Sequence, residues 1–383
     1  MTRVRRLLPL AAACLFAASP AFADLPAPLS ATRFAFPGSV STPASAVSAG
    51  LALADRWVSA DVANNPAAPA ARGVVLSPQL VRISRQDLSS QNREYEQVDL
   101  NPDFAGAQLS VPMRGLLVSL YVVQPQLRTE QESFVLGRTG SSGPSGSVKY
   151  DGSLRETRGG LAVSRGAALR WGAAVEMTRR DDRYQVLETS GSPDAGTSDL
   201  TMTGSTFGGA VGVRWERTPE QRGGWVLGAG VHVVPALSLD LTRSSDLNSG
   251  SSRSTGTAER GGTFEAGGSA RWTLSPESGL FGSFTQRSAE KWDDFGVQAG
   301  AAQSWGLGVD FRDPETSWGA RLGYGQDLQP GTPEPRANAL GAGFTWYSGE
   351  TTLDFGALHR SVHRAGLPTL SDDRLVVSVR VAF

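Results

Sequence analysis

Arg374-Leu375-Val376-Val377-Ser378-Val379-Arg380-Val381-Ala382-Phe383 closes the chain, and its reading decides the fold. In an extended strand successive side chains point to opposite faces. Leu375, Val377, Val379, Val381 and Phe383 therefore share one face, and Arg374, Val376, Ser378, Arg380 and Ala382 the other. A wholly apolar face stands opposite one that carries two arginines.

The same period of two recurs upstream. Leu169, Trp171, Ala173, Val175 and Met177 alternate with Ala168, Arg170, Gly172, Ala174 and Glu176. Gly209, Val211, Val213 and Trp215 alternate with Ala210, Gly212, Arg214 and Glu216; Trp305, Leu307, Val309 and Phe311 with Gly306, Gly308, Asp310 and Arg312. Trp318, Ala320, Leu322 and Tyr324 oppose Gly319, Arg321, Gly323 and Gly325, and Leu340, Ala342, Phe344 and Trp346 oppose Gly341, Gly343 and Thr345. One set is always apolar and the other is glycine or charge. A soluble β-sandwich would need a large apolar inner face, and unpaired buried arginines or carboxylates in a dry core would each cost several kcal/mol. The pattern predicts an all-β protein, a transmembrane antiparallel up-and-down β-barrel with the apolar set toward lipid and the charges toward a wet or plugged lumen. Tryptophan and tyrosine near the segment ends (Trp171, Trp215, Trp225, Trp305, Trp318, Trp346, Tyr347) suit aromatic girdles at the two membrane surfaces.

Candidate strands fall at 73–85, 107–123, 126–138, 150–164, 167–180, 182–190, 200–217, 222–242, 256–275, 279–289, 295–312, 316–328, 336–348, 350–362 and 373–383. Bacterial single-chain barrels have an even number of strands, so one of these is a split, a merge or an inward loop, and about fourteen strands are expected. Gly140 to Ser147, Ser190 to Asp199 and Ser244 to Thr257 read as long extracellular loops. Pro219-Glu220 and Ser275-Pro276-Glu277 read as short periplasmic turns.

The beginning of the chain differs. Arg3, Arg5 and Arg6 precede an apolar stretch from Leu7 to Ala18, and Ala21-Phe22-Ala23 fits a cleavage site, so residues 1–23 are expected to be a removed export signal. The stretch is too short to span a bilayer, which takes about 20 apolar residues. Cys14 is the only cysteine and lies in that signal, which leaves the mature chain without disulfides, thiolate ligands or a thiol nucleophile. A formal charge of -1 without blocks of like charge gives no footprint for nucleic acid. The expected domains are the signal 1–23, an N-terminal segment 24–72 without period two, and a barrel 73–383. Composition alone leaves the segment as either a periplasmic linker or a plug folded into the lumen.

Ser45 to Ala67, ending in Asn65-Pro66-Ala67, resembles the hatch of the FadL/TodX family of hydrophobic-compound transporters, with Gly50, Ala54, Asp55 and Asp61 fitting the approach to that motif. The resemblance implies a fourteen-stranded barrel, a hatch inside it, and passive inward passage of fatty acids or other apolar molecules. The sequence departs from the family in having Ala68-Pro69 after the motif, where glycine is common. A terminal phenylalanine, Phe383, resembles the assembly signal of many outer-membrane barrels. The expected partners are outer-membrane lipid, a small hydrophobic ligand and the barrel assembly machinery, and the expected location is the Gram-negative outer membrane.

Chemistry is sparsely supplied. Arg170, Glu176, Arg214, Glu216, Asp310, Arg312, Arg321 and Arg380 fall on the lumen face, either as paired ladders stiffening the wall or as a selectivity lining. No cofactor, metal or catalytic residues are expected. His359 and His363 stand roughly 13 Å apart on a strand, too far for one ion. His359 and Ser361 share a face, as in outer-membrane lipid hydrolases, but residues i and i+2 lie some 6 to 7 Å apart, beyond the reach of a base and its nucleophile. General porin, structural barrel and lipid hydrolase are the alternatives to a hydrophobic-compound channel.

Overall fold

The computed structural model describes residues 43–69, 73–85, 101–136, 146–189, 195–292, 297–299, 301–313, 315–328, 335–364 and 367–382. The expected signal 1–23, the first part of the N-terminal segment and Phe383 lie outside them. Strand elements are β1 (Gly73–Arg85), β2 (Asn101–Met113), β3 (Leu116–Leu136), β4 (Gly146–Gly166), β5 (Leu169–Thr189) and β6 (Gly196–Arg217). They continue as β7 (Trp225–Val234), β8 (Leu237–Leu247), β9 (Gly250–Arg260), β10 (Thr263–Ser275), β11 (Ser278–Arg287) and β12 (Glu290–Trp292). The last six are β13 (Val297–Ala299), β14 (Ala302–Asp313), β15 (Trp318–Leu328), β16 (Pro335–Ser348), β17 (Thr351–Arg364) and β18 (Leu367–Ala382).

Every pairing is antiparallel, and β1 pairs with both β2 and β18, so the sheet closes on itself. Eighteen elements make fourteen strands because four strands are interrupted: β7 runs into β8 at Pro235-Ala236, β9 into β10 at Gly261-Gly262, β11 into β12 at Ser288-Ala289, and β13 into β14. Proline has no N–H for the ladder and a glycine pair tolerates a sharp bend, so the first two breaks stand where the sequence weakens pairing. Below the breaks β6 pairs with β7; above them Gly196–Thr203 of β6 pairs with Leu247–Asp240 of β8.

Three expectations about the strands are corrected. Segments 167–180 and 182–190 form one strand, β5, since Arg180, Asp181, Asp182 and Arg183 continue the ladder against β6 instead of breaking it. The candidate 107–123 straddles a turn at Arg114-Gly115, where both residues have positive φ. Ser244 to Thr257 is a regular β8–β9 hairpin turning at Asn248-Ser249, with strand pairing from Leu237↔Arg260 to Leu247↔Gly250. Its serines and threonines lack an apolar face because β9 stands almost wholly in water.

Alternation of exposure matches the alternation of chemistry. Along β5, Trp171, Ala173, Val175 and Met177 are exposed while Gly172, Ala174, Glu176 and Thr178 are buried. Val175 (64%), Phe207 (69%), Leu322 (61%) and Leu340 (57%) belong to a continuous apolar belt around the outside. Such a surface is stable only against hydrocarbon. Short turns at Arg114-Gly115, Pro276-Glu277 and Gly349-Glu350 lie at the end where Gly73 meets Ala382, which makes it the periplasmic end by the rule for outer-membrane barrels. Aromatic residues cluster there: Trp215 packs edge-on to Trp225 at 4.6 Å, and Trp318 stacks with Phe344 at 6.2 Å.

Candidate functional site: the filled lumen and the side gap

Residues 43–69 lie within the lumen. They form a short helix, α1 (Ala46–Gly50), followed by a chain of turns. Ser45 caps α1 by accepting from the Ser48 N–H. The segment can lie directly on the wall because the facing wall residues are glycines. A side chain at Gly356 would overlap Ala46, one at Gly341 would overlap Ala49, and ones at Gly323, Gly228, Gly212 and Gly172 would overlap Leu51, Trp57, Asn65 and Pro66. The inward glycines are thus a seat for backbone at close approach.

Asn65 and Trp57 fix this contact. The Asn65 amide donates to the carbonyls of Trp57 (2.7 Å) and Val213 (3.2 Å), and its Oδ1 accepts from the Ala67 N–H (2.9 Å). Asn65 therefore ties the turn at Pro66 both to the segment and to β6. Trp57 is fully buried, donates from Nε1 to Thr285 Oγ1 (2.9 Å) and from its backbone N–H to Ser269 Oγ (3.1 Å), and lies beside His232. Trp57 was missed by the sequence reading; the signal available was a lone indole in an Ala-Ser stretch facing Gly228-x-Gly230 on the wall.

Asp55 is buried and Asp61 half-buried, with Ser48 Oγ 3.2 Å from a carboxylate oxygen of each. Burial, with the Asp61 charge beside it, pushes Asp55 up to about 7. One of its oxygens, Oδ1, has no hydrogen-bond partner among the described residues. A carboxyl raised above its usual value favours the seated state at low pH, and that contribution is lost progressively as pH rises from the ordinary carboxylate range to about 7. Between about pH 4 and pH 7 protease protection of the segment in purified protein is expected to fall about tenfold per pH unit, and to level off above 7, where the carboxyl is ionised in both states. Asp55→Asn should flatten that dependence; an unchanged slope in the variant would assign it elsewhere.

The eight lumen-face charges separate into groups. Glu176 accepts from Tyr121 Oη (2.5 Å) and faces His232 (3.3 Å) and Arg158 (3.9 Å), and Arg158 also meets Glu156 (3.6 Å). Arg214 pairs with Glu216 on its own strand (2.5 Å) and donates to the Val58 carbonyl of the lumenal segment. Asp310, Arg312, Arg321 and Arg380 surround a cavity of about 510 Å³ at the periplasmic end, with Arg271 and Asp354. There Arg271 meets Asp310 (3.4 Å), Arg321 meets Asp354 (2.9 Å) and Arg312 lies over Tyr347 (4.4 Å). Arg170 stands half-buried on β5, its Nε without a hydrogen-bond partner among the described residues.

The inward face is not polar throughout. Above the breaks, Tyr184, Val186, Leu200, Met202, Leu237 and Leu239 are buried inside the barrel. This corrects the expectation that the inward set is only glycine or charge: the inward-facing positions of β5, β6 and β8 become apolar toward the extracellular side.

The wall opens between β2 and β3. β2 and β3 pair only from Gly106↔Val123 to Met113↔Leu116, although β2 starts at Asn101 and β3 continues to Leu136. Pro125 stands where β3 shifts register against β4, between Val123 and Gln126. A proline and a bulge together release the edge of β3 from β2. Behind the gap Val62 and Ala63 of the lumenal segment pack with Tyr121, Val123, Ala162 and Ala174.

The structure also overturns a spacing argument. His359 and Ser361 were expected to lie beyond reach, yet Ser361 Oγ is 3.3 Å from His359 Nε2, and His359 Nδ1 is 2.6 Å from Asp373 Oδ1. The imidazole leans along the strand and spans the distance between the two Cβ atoms. Asp373 enters from β18, directly opposite His359 in the ladder.

A closed barrel of fourteen strands with an apolar exterior, a lumen occupied by its own N-terminal segment and an opening between β2 and β3 defines a membrane barrel of the plugged kind. No family model and no curated protein matches the sequence. Solved structures do. The chain superposes on the CymD monoaromatic hydrocarbon channel with a TM-score of 0.61 at 14% identity, covering 88% of this chain and 97% of that one. The toluene transporter TbuX of Ralstonia pickettii gives 0.59 at 13% identity, with coverage of 88% and 98%. A FadL homologue from Pseudomonas aeruginosa gives 0.57 at 14%, with coverage of 90% and 99%. The chain has the fold of the FadL/TodX hydrophobic-compound transporters.

Proposed function

We propose that this protein is a passive outer-membrane channel for small hydrophobic compounds, exported by a cleaved signal at residues 1–23 and assembled with Phe383 as its terminal signal. The observation that carries the reading is the coincidence of a filled lumen with an unpaired stretch of wall. A water-soluble solute gains nothing from such a gap, because it opens toward acyl chains. For an apolar molecule the same path avoids a return to water.

In this reading the solute enters from the cell surface through the apolar interior formed by Leu200, Met202, Leu237 and Leu239. It then passes beside residues 43–69, which act as the hatch of the 24–72 segment, with Asn65, Pro66 and Ala67 as its pivot. It leaves sideways between β2 and β3, past Val62, Tyr121 and Val123. The likeness to hydrocarbon and fatty-acid channels supports the solute class. Lumenal ion pairs hold the wall, and the mixture of both signs suits a scaffold better than an ion filter.

A cross-link tests the exit. Ala105 and Gln124 occupy the first opposed positions beyond the last β2–β3 pair, and the mature chain has no cysteine of its own under the proposed cleavage. In cells carrying Ala105→Cys with Gln124→Cys, oxidation is expected to lower uptake of radiolabelled toluene or oleate at least tenfold, with recovery on reduction. Uptake indifferent to a verified cross-link would remove the side exit.

A further inference from the structure

We propose that the outer surface of this barrel carries a second site, a Ser361-His359-Asp373 triad that hydrolyses long-chain carboxylic esters of lipids in the outer leaflet. Ser361 Oγ lies 3.3 Å from His359 Nε2, and His359 Nδ1 lies 2.6 Å from Asp373 Oδ1. A nucleophile, a base within hydrogen-bond reach and a carboxylate that fixes the tautomer of the base are the parts that activate a serine. Geometry and roles define such a site, whatever the fold that carries it.

Its position selects the substrate. His359 points outward on β17, in the alternating set that includes exposed Phe355 and Ala357, with side-chain exposures of 51% for His359 and 40% for Asp373. Laterally, His359 stands between Leu340 of β16 and Asp373 of β18; one step nearer the periplasm, Ala357 stands opposite Leu375. Leu340, Leu375 and Phe355 are exposed members of the apolar belt. One step toward the cell surface the row changes to Gln326, Asn338, Ser361 and Ser371, and Gln326 donates to Asn338 (2.9 Å). Tyr324, edge-on to Trp305 at 5.6 Å, marks the aromatic level there. The triad therefore crosses the boundary between the acyl and polar layers of the outer leaflet, the depth at which lipid acyl esters lie. An acyl chain can rest on Leu340 and Leu375 while its ester reaches Ser361.

In the reaction, Ser361 Oγ attacks the ester carbonyl carbon as His359 Nε2 takes the hydroxyl proton. Asp373 holds the imidazolium. The tetrahedral intermediate collapses with cleavage of the acyl C–O bond, and His359 returns its proton to the leaving alcohol oxygen. A water then attacks the acyl-serine, losing its proton to His359, and a fatty acid leaves as Ser361 regains that proton. The β17–β18 ladder shifts register between Val362 and Arg364, next to the nucleophile, where backbone N–H groups leave regular pairing and can meet the oxyanion.

The test uses the purified full-length mature protein in detergent micelles, given either phospholipid or lipopolysaccharide with labelled acyl chains, and separately an alkyl fluorophosphonate. Wild type is expected to release labelled fatty acid from at least one lipid and to carry the phosphonyl group on Ser361. Ser361→Ala should abolish both, and Asp373→Asn should lower the rate about 10²–10⁴-fold. Both variants should keep the heat-dependent gel shift of a folded barrel. Release from phospholipid alone or lipopolysaccharide alone assigns the source of the ester. No release from either lipid and no labelling of Ser361 in folded wild type overturns the proposal, as does equal release by Ser361→Ala.

Discussion

Trp57→Ala is expected to turn an electrically quiet barrel into a leaking one. The indole is fully buried against the inner wall, its ring over Gly230, its Nε1 close to Gly267 and bonded to Thr285, and its backbone against Gly228. Wall glycines cannot move in to refill the space, so the substitution leaves a cavity as well as an unpaired threonine. Large-to-small changes of this kind cost about 3–5 kcal/mol. The cost falls on seating the lumenal segment, since the strands around Trp57 keep their ladders. A population of unseated segments that is negligible in wild type would rise by a factor of about 10²–10⁴. Single-channel recording should show frequent open events in the variant, and protease should cut the segment while leaving the barrel whole. A variant as silent and as protected as wild type would mean that the indole does not hold the segment.

The second large effect contrasts two neighbours on β5. Glu176 points into the lumen, where it accepts from Tyr121 and faces His232 and Arg158; Val175 points to lipid with 64% exposure. Removing one partner of a buried charged network leaves the others unpaired, at about 3–5 kcal/mol. Glu176→Ala should lose that much of the barrel's stability in urea unfolding from lipid vesicles, whereas Glu176→Gln, which keeps a hydrogen-bond acceptor for Tyr121, should lose less. Val175→Arg places a charge in hydrocarbon and should cost about 2–4 kcal/mol near the bilayer midplane. Its cost should shrink in detergent micelles, where the arginine can reach water. A Val175→Arg barrel as stable as wild type in vesicles would invert the assignment of faces.

Much of this fold could be read from the chain. Alternation of Trp171, Val175 and Met177 with Gly172 and Glu176 reports a two-sided wall directly, because strand geometry forces neighbours to opposite faces. The breaks at Pro235 and Gly261-Gly262 could not be placed, since a glycine on the lumen face and a glycine at a bend look alike in sequence. The hairpin around Asn248 was mistaken for a loop because the usual signal of a strand is an apolar face, and a strand standing in water needs none. The triad of His359, Ser361 and Asp373 was legible in part. Two of its members share a strand, but Asp373 depends on the register of β17 against β18, which no local pattern fixes.

The seat of the lumenal segment was half legible. Asn65-Pro66-Ala67 announces a turn, while its bond to the Val213 carbonyl is a long-range fact. The role of the inward glycines follows only once the segment is inside, because a face of glycine says that something approaches closely without saying what.

Planar-bilayer conductance of the intact mature protein measures the central claim most directly. A barrel whose lumen is filled by residues 43–69, and which passes apolar solutes sideways into lipid, should be nearly silent to ions in 1 M salt while still speeding toluene entry into vesicles. Large, steady, water-filled channels in wild type would contradict it.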